Sequence, residues 1–207
     1  MTSPMKKTWF LLVLLGIAVA MGSCIMEDRI IQLVLTDKSC ADFSENQTST
    51  SFVTPARLEF GEELNRILED NDVAREEIVH ALLVSASYGV TNFTQSTAWV
   101  ISGSITVERE DEADGPKTLI AYSNLSVADA LGKVIPAPLD SAGVHLINRA
   151  TADYLAGVGS NPVLIFKVNN SSVVPSPSVS DPIQFDWRFC ITMDVVTETD
   201  AEVPDPF

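Results

Sequence analysis

The chain is poor in cysteine, histidine and positive charge. Its 207 residues include three cysteines, two histidines, and 13 lysines and arginines against 28 aspartates and glutamates. A surface this acidic repels nucleic acid and anionic lipid headgroups. The imbalance therefore argues against a nucleic-acid partner, and against membrane attachment through the protein's own charged surface.

The chain also lacks the motifs that mark common active sites. It contains no G-x-S-x-G nucleophile elbow, no H-E-x-x-H zinc motif and no glycine-rich phosphate loop. Neither His80 nor His145 has a second histidine or a cysteine at metal-ligand spacing. The sequence thus predicts no catalytic residue, no metal ion and no cofactor. Enzymatic activity is left uncertain, and the absence of a motif disfavours it.

The start of the chain has the organisation of a secretory signal. Lys6 and Lys7 precede the uncharged segment 8–20, which ends in small residues. This segment is shorter than the roughly 20 apolar residues of a membrane-spanning helix. The pattern predicts export. One cleavage site follows Ala20, where Ala-Val-Ala fits ordinary signal peptidase.

A second cleavage site is indicated by the motif Met21-Gly22-Ser23-Cys24. It resembles the lipobox of bacterial lipoproteins, in which the cysteine becomes the first residue and carries acyl chains. Those proteins usually have leucine where Met21 stands. Two or more acyl chains anchor a protein stably. The resemblance implies a signal peptide over 1–23 and a membrane partner held through lipid on Cys24.

The same resemblance implies a location in the cell envelope. By analogy with enterobacterial lipoproteins, Ile25 in place of aspartate favours the outer membrane. Cleavage after Ala20 gives the alternative, a soluble secreted or periplasmic protein.

The odd number of cysteines links the anchor to a disulfide. In an oxidising compartment an unpaired cysteine requires an explanation. If Cys24 carries lipid, Cys40 and Cys190 remain as a pair, and we expect a disulfide between them. If the chain is cleaved after Ala20, Cys24 stays as a free thiol.

The segment 183–195 has the clearest strand pattern. Its apolar residues alternate strictly with polar ones, which predicts a strand with one buried face: Ile183, Phe185, Trp187, Phe189, Ile191, Met193 and Val195. Cys190 lies on the opposite face. Further strands are predicted over 30–36, 78–90, 99–107, 118–122 and 162–168. Of these, 78–90, 99–107 and 118–122 are expected to form an antiparallel meander. Segment 37–51, which holds Cys40, is expected to be a loop.

Two segments have helical spacing of apolar residues. Phe60, Leu64, Ile67 and Leu68 predict an amphipathic helix over 60–69. A second helix is predicted over 142–156, after the capping residues Asp140 and Ser141 and before Gly157.

These elements predict a mainly β fold, an antiparallel β-sandwich-like domain with two peripheral amphipathic helices. The alternative is an α+β domain with both helices on one face of a single antiparallel sheet. The expected organisation is a signal peptide over 1–23, a lipidated tether over 24–29, a single β-rich domain over 30–197 and an acidic flexible tail over 198–207.

The densest group of acids lies between two predicted strands. Oxygen ligands on a loop suit calcium, which makes weak candidates of Glu110, Asp111, Glu112 and Asp114. Their spacing matches no EF-hand loop, which favours a solvated hairpin tip instead.

The function that the sequence favours is that of an exported, lipid-anchored envelope protein. We expect a non-enzymatic binding, structural or accessory module, with an envelope protein as a possible partner. One alternative is a carrier of an apolar ligand inside the sandwich. Another is a hydrolase whose site matches no known motif.

Overall fold

The computed structural model describes residues 26–158 and 161–204, with side chains for 32–158 and 161–198. The predicted signal peptide and Cys24 lie outside the described residues. Eight strands are present: β1 Met26–Gln47, β2 Phe52–Glu59, β3 Ile78–Asn92, β4 Val100–Arg109, β5 Lys117–Ser126, β6 Ile135–Ala137, β7 Val163–Val174 and β8 Ile183–Pro204. The helices are α1 Phe60–Asp70, α2 Val127–Ala130 and α3 Ser141–Leu155, and Arg75–Glu77 forms a 3₁₀ turn.

The strands form two antiparallel four-stranded sheets. One has the order β1-β8-β3-β6 and the other β2-β7-β4-β5. Successive strands alternate between the sheets in the first half of the chain, and the last strand returns to lie beside the first. This is the strand order of a jelly roll, an eight-stranded sandwich built from two Greek keys. The predicted mainly β sandwich with peripheral helices is confirmed.

The core lies between the sheets and is rich in aromatic rings. Each predicted inward residue of β8 is at most 3% exposed. Phe189 of β8 contacts Phe166 of β7 with ring centroids 5.6 Å apart, and Trp187 contacts Tyr122 of β5 at 5.7 Å. These rings join the two sheets directly, so side chains fill the space between them here.

Both predicted helices form at the expected positions. The apolar face of α1, from Phe60 to Leu68, is buried. Helix α3 begins at the predicted cap, where Asp140 Oδ1 accepts from Ala142 N at 2.9 Å. Gly143 lets α3 approach β5 closely, since a Cβ at this position would lie 2.5 Å from the carbonyl oxygen of Thr118.

The structure corrects the sequence interpretation of segment 37–51 and of the meander. Segment 37–51 is not one loop, because β1 continues to Gln47. Pairing with β8 holds this polar sequence extended, and context of this kind commonly overrides β propensity. The predicted meander is also wrong. Strand β4 pairs with β5 as expected, but β3 lies in the other sheet beside β8.

The chain divides into two compact units. One is Leu33–Thr197, which contains most of the sandwich. The other is Met1–Gln32 with Glu198–Phe207, and its described parts belong to the start of β1 and the end of β8. There Gln32 Nε2 donates to Glu198 Oε1 at 2.5 Å. The strands therefore extend into the segments assigned above to a tether and a tail. Along the described part of the chain, no helix is long and apolar enough to cross a membrane.

Candidate functional site

Strands β1 and β8 face each other in one constant register. On the outer face of the sheet, four pairs of side chains join the two strands, and the two residue numbers have the same sum in each pair: Thr36 with Asp194, Cys40 with Cys190, Asp42 with Arg188, and Asn46 with Gln184. A constant sum means that the antiparallel pairing continues through this stretch without an inserted residue.

The structure contains the predicted disulfide between Cys40 and Cys190. Their Cα atoms are 4.1 Å apart, close to the roughly 4.5 Å of directly opposite residues in a non-hydrogen-bonded antiparallel pair. Because Cys190 alternates with the buried residues of β8, the bond lies on the outer face of the sheet. It joins the first strand to the last.

A cleft of about 410 Å³ lies on this outer face beside the disulfide. Strand β1 contributes Lys38, β8 contributes Arg188, and β3 contributes Ser87 and Thr91. The segment 132–134, which follows α2, completes the lining. The cleft therefore combines three neighbouring strands with one loop.

Glycine permits the loop to reach the sheet. Gly132 has a φ of 70° and donates its backbone N–H to the carbonyl oxygen of Val90 at 2.9 Å. A Cβ on Gly89 would lie 2.0 Å from the carbonyl oxygen of Lys133, which no side chain allows. The side of the cleft formed by 132–134 is thus held against β3 by backbone contacts.

The cleft is cationic although the chain as a whole is strongly acidic. Lys38, Lys133 and Arg188 line it, and none of its described lining residues is an aspartate or glutamate. Asp42 lies beside it, where Arg188 Nε and Nη2 donate to its two carboxylate oxygens at 2.6 and 2.8 Å. These hydrogen bonds lower the pKa of Asp42 and raise that of Arg188. The described residues that line the cleft thus carry three positive charges and no negative one.

Sequence reasoning did not find this cleft. Lys38 fell in a segment expected to be a loop, Lys133 lay outside every predicted element, and Arg188 was one of several polar residues of β8. Only the outward position of Arg188 gave a signal. The three cations come together through strand pairing that the sequence does not reveal.

A buried polar cluster lies between the sheets near the β1–β2 turn. Glu45 is 3% exposed, and its carboxylate accepts from Thr54 Oγ1 at 2.7 Å and from Trp187 Nε1 at 3.3 Å. Burial raises the pKa of Glu45, because these hydrogen bonds only partly replace the lost hydration. Nearby, the Tyr122 hydroxyl donates to Asn170 Oδ1 at 2.7 Å. Within the described residues the buried Asn170 Nδ2 has no partner.

Glu45→Gln is expected to raise the free energy of unfolding at neutral pH. The raised pKa means that the folded state favours the protonated form of Glu45. The stability that the protonated side chain adds is complete below the unfolded pKa and is lost as pH rises through the folded pKa. Glutamine keeps the shape and an acceptor oxygen without the charge. Each pKa unit corresponds to about 1.4 kcal/mol, and the gain should vanish in acid. Urea denaturation at acidic and neutral pH measures it.

Glu63→Gln is the matched control for this prediction. Hydrogen bonds from Arg66 and Ser39 lower the pKa of Glu63, so the stability that they add is present at neutral pH and lost in acid. This variant should therefore lose stability at neutral pH. If Glu45→Gln also lost stability at neutral pH, the cost of burying the Glu45 carboxylate would not outweigh the hydrogen bonds that this carboxylate accepts.

The acidic segment between β4 and β5 packs around buried Arg109. This guanidinium donates to both carboxylate oxygens of Asp111 at 3.0 and 2.9 Å and to Asp153 of α3 at 2.5 Å. It also lies 3.0 Å from Glu112, which contacts Arg149 of α3. The hydrogen bonds from Arg109 lower the pKa of Asp111. The hairpin is thereby tied to α3.

The four carboxylates considered for calcium each lie beside an arginine. Glu110 contacts Arg57, Asp111 contacts Arg109, and Glu112 and Asp114 lie near Arg149. In the part of the chain that the structure describes, no group of three or more His, Cys, Asp or Glu side chains is arranged to hold a metal ion. These acids form ion pairs.

The two histidines lie in different surroundings. His80 of β3 lines a cleft of about 370 Å³ against α3, together with apolar residues and Asn148. Asn148 Oδ1 is occupied by the backbone N–H of Leu83 at 2.8 Å. His145 is exposed on α3. Among the described residues lining the His80 cleft there is no serine and no carboxylate.

No protein-family model and no curated protein sequence matches the chain. Solved structures with some likeness include one titled "Structure of infectious bursal disease virus Gx strain", at 10% identity and a TM-score of 0.30 over 86% of this chain. Another is titled "TURNIP YELLOW MOSAIC VIRUS", at 8% identity and a TM-score of 0.29 over 87% of this chain. This chain spans 41% of the first of those chains and 100% of the second. At such TM-scores neither structure informs the function, and the jelly-roll assignment rests on strand order.

Proposed function

We propose that the protein is an exported, lipid-anchored component of the cell envelope that acts as a non-enzymatic binding or structural module. The disulfide is the observation that carries this proposal. It takes up Cys40 and Cys190 and leaves Cys24, the cysteine of the lipobox-like motif, as the one of the three cysteines outside that bond. In an oxidising compartment, lipid on Cys24 accounts for the odd cysteine.

The packed interior of the sandwich favours a module that binds at its surface over a carrier of an apolar ligand between the sheets. Phe166 and Phe189 contact each other across the sandwich, as do Tyr122 and Trp187. All four side chains are at most 5% exposed. An apolar ligand between the sheets would have to separate these rings.

The anchor also suits the charge of the chain. With 28 acidic and 13 basic residues, the protein gains little from electrostatic attraction to an anionic bilayer. A covalent lipid anchor does not depend on that attraction, since each buried methylene contributes about 0.8 kcal/mol. We propose the outer membrane as the location.

Cys24→Ala is expected to move the protein from the membrane fraction to the soluble fraction. Cell fractionation with detergent-phase partitioning measures this, and mass spectrometry of the N-terminal peptide should find acylated Cys24 in the wild type. The control is the double variant C40A/C190A, which lacks the two disulfide-bonded cysteines but keeps Cys24 and should stay with the membrane. An unmodified N-terminus at Met21, or a Cys24→Ala variant that remains membrane-bound, would refute the anchor.

A further inference from the structure

We propose that the cleft beside the disulfide is a binding site for a phosphate group carried by a small ligand or a lipid headgroup. It is the cleft lined by Lys38, Lys133 and Arg188. This assigns a site and a ligand class, and it goes beyond the proposed anchoring and module function.

The distribution of basic side chains carries the inference. Eight of the ten lysines and arginines whose side chains are described hold a carboxylate, a backbone carbonyl or an aromatic ring: Arg57, Arg66, Arg75, Arg109, Lys117, Arg149, Lys167 and Arg188. Lys38 and Lys133 have no such partner among the described residues, and both line this cleft. In a chain with a large excess of acids, two cations without a carboxylate at one place leave an anion-binding potential unsatisfied.

Arg188 adds a third cation whose orientation is fixed. Asp42 accepts from its Nε and Nη2 atoms, which holds the planar guanidinium in place. Within the described residues, Nη1 has no partner. A ligand would therefore meet a guanidinium that is already ordered and loses little conformational entropy on binding.

Neutral donors complete the cleft. The hydroxyls of Ser87 and Thr91 lie among the lining residues, and neither has a hydrogen-bond partner in the described structure. A volume of about 410 Å³ lies within the range of about 300–1,000 Å³ found for small-molecule sites. The cleft can thus accept a phosphate together with a hydroxylated group of sugar or glycerol size.

Two separate ammonium groups favour phosphate over a carboxylate. A carboxylate is matched best by the planar fork of an arginine, whereas lysine binds phosphate as a point charge. Here the fork of Arg188 already holds Asp42, and the two lysines remain. Phosphate offers more acceptor oxygens than a carboxylate, so several donors can bind it at once.

The test is calorimetric titration of the full-length protein in a non-ionic detergent. The probes are glucose 1-phosphate, inorganic phosphate, neutral glucose, and detergent micelles doped with phosphatidylglycerol or phosphatidylcholine. We expect saturable binding of a phosphorylated probe that weakens with added salt. The double variant K38Q/K133Q should weaken it at least about tenfold, consistent with the loss of charge-assisted hydrogen bonds. Lys117→Gln removes one charge from β5, which belongs to the other sheet, and should leave binding unchanged.

The probes also identify the source of the phosphate. Binding of glucose 1-phosphate indicates a free phosphorylated ligand, and binding of phosphatidylglycerol micelles alone indicates a headgroup. The site is refuted if no phosphorylated probe binds at millimolar concentration, if glucose binds equally well, or if Lys117→Gln weakens binding as much as the double variant. Thermal melts of both variants check folding, and single Lys38→Gln and Lys133→Gln variants replace the double variant if it melts early. None of these outcomes depends on Cys24. The phosphate-site proposal and the lipid-anchor proposal can therefore be refuted independently of each other.

Discussion

Removing the disulfide by the double substitution C40A/C190A is expected to lower the free energy of unfolding by up to about 5 kcal/mol. The bond joins residues 150 positions apart, so it restricts nearly the whole of the unfolded sandwich. The chain-entropy model assigns its largest stabilisation to such long closed loops. The native strands should persist, because Thr36 still bonds Asp194 and Asp42 still bonds Arg188 on either side.

Urea denaturation of the oxidised wild type, the reduced wild type and the double variant measures this loss. The last two should agree, and both should show a steeper dependence of unfolding free energy on urea, because an unfolded chain without the cross-link exposes more surface. Stabilities of domains are commonly about 5–15 kcal/mol, so the double variant is expected to be marginal. An unchanged unfolding midpoint would mean that the bond does not constrain the unfolded chain.

Arg109→Met is expected to cost about 3 kcal/mol, near the lower end for breaking a buried ion pair. The Arg109 side chain is 6% exposed and lies against Asp111, Glu112 and Asp153. Methionine fills much of the space but leaves Asp111 and Asp153 without their cation, while Glu112 keeps its contact with Arg149. The partial exposure of those acids keeps the loss below that of a fully enclosed pair.

Arg66→Met provides a matched control, because Arg66 also contacts three carboxylates: Asp37, Glu63 and Asp70. Its side chain is 46% exposed, and exposed ion pairs contribute little. We therefore expect a much smaller loss by thermal or urea denaturation. Equal losses in the two variants would show that the number of partners matters more than burial. The Arg109 variant should also lose less stability on acidification than the wild type. The stability that the lowered pKa of Asp111 adds is complete above the unfolded pKa and is lost as pH falls through the folded pKa.

The sequence predicts those strands and helices whose spacing of apolar residues follows from burying one face in the core. Strand β8 and helices α1 and α3 each bury one face against a single core, so the alternation from Ile183 to Val195 and the spacing from Phe60 to Leu68 are visible in the chain. The partnership of Cys40 and Cys190 followed from the odd cysteine count once the lipobox-like motif had assigned Cys24 to a lipid. It did not require knowing where either residue lies.

The sheet order and the cleft depend on which strands pair with each other. The alternation of apolar and polar residues shows that a strand buries one face, but it does not show which strand lies beside it. Strand β1 is polar where it passes Cys40, and it is extended because β8 lies beside it. Strand β3 looked like a neighbour of β4, yet it pairs with β8, since a strand with one buried face fits either sheet. The cleft was hidden for the same reason. Lys38, Lys133 and Arg188 meet only once β1, β8, β3 and the loop 132–134 are adjacent.

The constant register of β1 and β8 has a mechanical consequence. The unit Leu33–Thr197 begins on one of these strands and ends on the other, so its two ends leave side by side. A force that pulled these ends apart would break the pairing of β1 with β8 one residue pair at a time. The separation of the two strands would stop at the covalent bond between Cys40 and Cys190. Only the few pairs outside that bond would yield. The cleft residues Arg188 and Ser87, and the ring contacts of Trp187, lie beyond it and would bear no load.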